Sequence, residues 1–81
     1  MDNNTTKPYL DRMIDEEKQL GERIEKLRVF ILKNDLFHSL SQQKKNLMKG
    51  QLHAMMLYQH FLRERINLED SNALAESYNN A

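Results

Sequence analysis

The 81-residue chain contains no cysteine. That removes disulfides, iron–sulfur clusters, thiolate zinc sites and cysteine nucleophiles together. Two glycines and one proline leave little material for tight turns or phosphate-cradling loops. Net charge is also missing, because twelve basic residues cancel twelve acidic ones. A general nucleic-acid binder that neutralises phosphates needs a surplus of base, so DNA is not an expected partner. No apolar run approaches the ~20 residues of a membrane span. The opening "MDNNTTKPY" has neither a basic nor an apolar stretch of the signal-peptide kind, so the expected location is the cytoplasm.

What is present is helix-forming. Leu, Met, Lys, Glu and Gln dominate, and Leu10, Met13, Leu20, Ile24, Leu27 and Ile31 recur at helical spacing. This predicts a helix over 7–33, capped by Thr6 and with Pro8 in its first turn, after a flexible segment 1–6. Glu17 interrupts the apolar stripe. It reads as an edge residue paired with a lysine, or as a polar group that sets register. Gly21 lies inside the helix, where it costs roughly 1 kcal/mol relative to alanine and asks for a close neighbour.

The stretch "NDLFHSL" breaks the pattern. Asn34 and Asp35 favour a turn, and Ser39 with Gln42 fits a capping box for a second helix. Leu36, Phe37 and Leu40 are too apolar for a solvated loop and should fold over the end of the hairpin. The second helix is expected over 40–67, followed by a mostly disordered tail, 68–81. It carries two apolar seams. One runs through Met48, Leu52, Met55, Gln59, Leu62 and Ile66. The other, about 100° round the cylinder, runs through Leu47, Gln51, Ala54, Tyr58, Phe61, Arg65 and Leu68. The first helix can cover only one of them. The expected architecture is therefore all-α, an antiparallel two-helix hairpin assembling into a homo-oligomeric helical bundle. Tyr58, Phe61, Leu62 and Arg65 are the expected oligomer interface.

Chemistry-bearing motifs are scarce. His53 and His60 lie seven residues apart, about 10 Å along a helix axis, too far to share a metal within one chain. Met55 and Met56 fit adaptable core filler. Asp15, Glu16, Glu17, Glu22 and Glu25 fit a solvated helix face. No arrangement of nucleophile and base, and no paired carboxylates, is visible, so neither an enzyme nor a cofactor or metal protein is expected. The antiparallel hairpin gathers Tyr9, Arg12, Arg63 and Arg65 at one end, with Lys18 some two turns in. Guanidinium groups beside an aromatic ring suit a small phosphorylated ligand that carries a base. They equally suit side chains that snorkel over the end of a core.

The segments "KPYLDRMIDEEKQLGERIEKLRVFI" and "LMKGQLHAMMLYQHFLRERI" resemble a family of small phage-encoded helical-hairpin proteins, the crAss-phage-type hypothetical proteins. More distantly they resemble the anti-CBASS and anti-Thoeris cyclic-nucleotide sponges. The resemblance covers about residues 8–68. It implies a non-enzymatic counter-defence protein of the host cytoplasm, built as an oligomer of hairpins, often a hexamer. Such an assembly holds a cyclic dinucleotide, cyclic trinucleotide or cyclic ADP-ribose-type signal between protomers. By that resemblance Tyr9 is similar to a base-stacking aromatic, and Lys18, shortly before Gly21, to a phosphate-binding lysine. Arg12 and Arg65 are added to these as expected ligand contacts from their place at the hairpin end. The competing expectation is a helical protein-interaction module that uses the same wide apolar face, a phage coiled-coil adaptor or an inhibitor of a host protein.

Overall fold

A computed structural model describes the backbone of residues 8–79 and the side chains of residues 8–70. The expected cap at Thr6 and the flexible segment 1–6 lie outside the described residues. Three helices follow in order: α1 (Pro8–Lys33), α2 (Asp35–His38) and α3 (Gln42–Asn79). The chain is all-α, and α1 packs lengthwise against α3.

Pro8 opens α1, where its missing N–H removes no intrahelical hydrogen bond. The helix stops at Lys33 because the next residue turns out of it. Asn34 takes an extended backbone, and its side-chain oxygen accepts the Leu36 N–H at 2.9 Å, capping α2. One short turn later the Ser39 hydroxyl donates to the Leu36 carbonyl at 2.7 Å and closes α2. The cap of α3 falls at Ser41 rather than Ser39. Its hydroxyl accepts the Lys44 N–H at 3.2 Å, and its carbonyl accepts the Lys45 N–H at 3.0 Å. Ser39 is held back by the turn it terminates.

The connection does fold over the hairpin end, through Phe37 and the half-buried Leu40. Phe37 is buried, edge-on to Phe30 with ring centroids 6.2 Å apart. Lys45 and Lys49 hold their ammonium groups 5.8 and 5.9 Å from the Phe37 centroid. Leu36 remains exposed, because α2 turns it outward.

The core lies between α1 and α3. Leu10, Met13, Leu20, Ile24 and Leu62 form its buried cluster, with Leu52, Met55 and Ile66 half-buried against it. These are the two seams read from the periodicity, now facing each other. Leu62 is 1% exposed, the deepest residue of the cluster. It belongs to the contact within the hairpin, not to the outer face where the sequence reading grouped it with Tyr58 and Phe61.

Two cross-helix contacts establish the antiparallel register. The Tyr9 hydroxyl donates to Glu69 Oε1 at 2.6 Å, and Arg63 Nε donates to Glu17 Oε2 at 2.8 Å. Pro8 is therefore level with about Asp70, and the last turns of α3 extend past the start of α1. The sequence reading ended this helix at 67; the helix continues to Asn79. No Gly or Pro follows residue 50, and Leu, Ala and Glu recur, so nothing local stops it. The molecule is a rod of 60 × 20 × 16 Å. No helix among the described residues is long and apolar enough to cross a membrane.

Candidate functional site

Among the described residues nothing covers the second seam of α3. Leu47 is 68% exposed, Tyr58 46%, Phe61 57% and Leu68 60%, and Ala54 and Arg65 are exposed between them. The apolar residues of α3 spread further around its cylinder than those of α1, where Ile14, Val29 and Leu32 are the exposed aliphatic residues outside the core stripe. A two-helix unit has no third layer to place over them.

Helix phase and the two cross-helix contacts sort the remaining surface into two sides. At about 100° per residue, Tyr9 and Arg12 of α1 fall on the side that also carries Tyr58, Phe61 and Arg65 of α3. The Tyr9–Glu69 hydrogen bond marks that side. The opposite side is marked by Glu17, Gln59 and Arg63, and there Gly21 and Lys18 lie. Of the four expected ligand contacts, the fold brings Tyr9, Arg12 and Arg65 to one end of one side. Lys18 stands apart. Nine residues after Tyr9, it is roughly half a turn out of phase and about 13 Å further along the axis.

At the gathered end Arg12 and Arg65 sit at nearly the same height, one on each helix. Both are exposed, and neither has an ion-pair partner among the described residues. Tyr9 stands one turn from Arg12, its ring partly exposed and its hydroxyl engaged by Glu69. An anion meeting this end finds two guanidinium forks and a flat face held by its hydroxyl.

Glu17 is the polar residue on the apolar stripe, and its partners are Arg63 and Gln59 rather than a lysine. Gln59 Nε2 donates to the same carboxylate oxygen at 3.2 Å. The amide crosses close over Gly21, where a Cβ would stand 3.3 Å from it. That is the close neighbour a mid-helix glycine called for.

A shallow groove lies elsewhere, at the turn end. It is open, about 290 Å³, and lined by Lys26, Val29, Phe30, Lys33 and Asn34. It gathers two lysines and an aromatic ring that periodicity did not single out. Among the described residues no group of three or more His, Asp or Glu is placed to hold a metal ion. His53 and His60 are exposed, on the side away from Arg65.

No curated protein and no solved structure matches the chain significantly. A family model does: Sequestin, over residues 7–68. That span takes in the whole of α1 and ends close to the height at which α3 passes the start of α1. The chain belongs to the Sequestin family.

Proposed function

We propose that this protein is a non-catalytic sponge that binds a cyclic oligonucleotide or cyclic ADP-ribose-type signal and holds it without cleaving it. On this reading it is a phage counter-defence protein acting in the host cytoplasm. The observation that carries the proposal is the pair Arg12 and Arg65, level with each other, without a carboxylate partner among the described residues, beside the Tyr9 ring. Phosphates suit the guanidinium forks, and a base suits the ring. The family's name speaks of sequestration, which agrees with capture rather than turnover. Lys18 serves only a site to which a different protomer brings the rest. A flat hairpin side encloses a small anion poorly, so the ligand is held where chains meet.

A second reading uses the same surface differently. The exposed stripe of Leu47, Tyr58, Phe61 and Leu68 also fits a helical module that docks on another protein. Calorimetry against cyclic di- and trinucleotides and cyclic ADP-ribose isomers separates the two. The sponge gives saturable binding, and the ligand is recovered chemically unchanged after the protein is heat-denatured. Silence across the panel by a correctly assembled protein favours the docking module. A hydrolysed ligand rules out both.

A further inference from the structure

Gly50 is a residue that the hairpin does not account for. It lies inside α3, its φ is not positive, and a Cβ built there meets nothing within 4 Å. Gly21 has the Gln59 amide over it; Gly50 has open space. A glycine there weakens the helix and gains nothing within the chain.

Its neighbours give it a use. Leu47, Ala54, Phe61 and Leu68 recur every seven residues, with Gln51, Tyr58 and Arg65 between them, so the uncovered stripe is a heptad seam. Leu47, Gly50, Gln51 and Ala54 stand at the spacing that bounds a coiled-coil hole, and two of the four are small. Two turns further along the same stripe, exposed Phe61 is a knob of matching size.

Hole and knob on one helix face are self-complementary. A second copy laid antiparallel puts each Phe61 into the other's hole, about a two-fold axis level with residue 56. Ala54 then faces the partner's Tyr58, small against large. Leu57, exposed in the single chain, comes beside its own counterpart at the axis.

Charge selects the same direction. Along α3 Lys44, Lys45 and Lys49 come early, while Glu64, Glu69 and Asp70 come late, with Arg63 and Arg65 among them. Parallel pairing stacks like on like; antiparallel pairing lays the basic part along the part that holds the acids.

We infer that the outer face of α3 is covered by a second copy of this chain, docked antiparallel so that two hairpins form a two-fold four-helix bundle with Phe61 seated over Gly50. The inference rests on the stripe, the glycine and the charges, and it stands whether or not the proposed ligand binds.

The absence of cysteine makes the test direct. Single-cysteine variants are oxidised mildly and read as crosslinked dimers. Leu57→Cys, near the axis, is expected to crosslink to itself, and Leu47→Cys and Leu68→Cys alone are not. Leu47→Cys mixed with Arg65→Cys is expected to crosslink between chains. Self-crosslinking at positions 47 and 68 as efficient as at 57 overturns the antiparallel docking. So does a monomeric unmodified chain in sedimentation at micromolar concentration. Gly50→Leu fills the hole in open space, so helicity is expected to be kept while dimer dissociation rises at least about a hundredfold. Unchanged association of that variant overturns the seating of Phe61.

Discussion

The side-chain amide of Gln59 lies over Gly21, 3.3 Å from where a Cβ would stand, and reaches Glu17 across the helix pair. The amide is the far end of a flexible chain, and its hydrogen bond is long enough to shift by a few tenths of an ångström. Gly21→Ala is therefore expected to stabilise the hairpin by about 0.5 kcal/mol, part of the ~1 kcal/mol helix-propensity gain remaining after Gln59 adjusts. Urea unfolding measures it. A loss of stability instead would mean that the amide is locked in place.

Removing the acceptor has the opposite effect. Glu17→Ala leaves the half-buried Gln59 amide without its partner and is expected to destabilise by about 1 kcal/mol. The ion pair itself contributes less, since the Arg63 side chain is 59% exposed and screened by water. A double-mutant cycle of Glu17→Ala with Arg63→Ala should give a coupling below about 1 kcal/mol. A larger coupling would assign Glu17 a dominant part in setting the register.

Neighbouring positions on α3 should separate folding from association. Leu62→Ala empties the centre of the core and is expected to cost about 2–4 kcal/mol of hairpin stability. Phe61 is 57% exposed and outside the buried cluster, so Phe61→Glu should leave helicity largely intact, dissociate the inferred dimer and lower the melting temperature through that loss. Circular dichroism and light scattering on the two variants distinguish these outcomes. If Phe61→Glu unfolds the monomer, the outer face is not an outer face.

Ligand capture predicts graded losses. A charge-assisted contact contributes about 1.5–3 kcal/mol, so Arg12→Ala or Arg65→Ala should weaken binding by roughly one to two orders of magnitude. Lys18→Ala should weaken it comparably only if the site joins several protomers, because within one chain Lys18 faces the other side. Calorimetry on the three variants therefore reads the geometry of the site as well as its members.

Arg28 donates to Glu25 through Nε and one terminal nitrogen, at 3.1 and 2.8 Å. This hydrogen bonding, reinforced by the positive charge, holds the Glu25 carboxyl below its ordinary value and the Arg28 guanidinium above its own. A carboxylate with a lowered folded value contributes stability above its unfolded value, lost as pH falls through the folded one. Arg28→Gln is therefore expected to raise the Glu25 titration midpoint, followed by NMR, and to remove that increment at neutral pH but not in strong acid. Both side chains are about half exposed to water, so the change in stability should be small.

Much of this fold was legible from spacing alone. Leu10, Met13, Leu20, Ile24 and Ile31 had to line one side of a helix, and Met48, Leu52, Met55 and Leu62 one side of another, because helical period converts sequence distance into direction. The second seam was visible for the same reason, and its exposure follows from counting helices. Caps were harder to read. Ser39 and Ser41 are equally good residues, and only the length of the turn through Phe37 decides which one meets the free N–H groups of α3. The far end of α3 is not legible in the sequence, because polar composition reads as tail, whereas a helix already nucleated continues until something breaks it.

The candidate site divides the same way. That Tyr9, Arg12 and Arg65 lie near one end is a consequence of an antiparallel hairpin. Which side of it each occupies depends on helix phase combined with the register between α1 and α3, and that register comes from contacts such as Tyr9–Glu69 and Glu17–Arg63. Lys18 separates from the others on this ground, and so does the reason for Gly21. One-dimensional order determined which residues share a helix face. Only the packing of one helix on the other decided which faces meet, because that choice is set by side chains far apart in the chain finding one another in space.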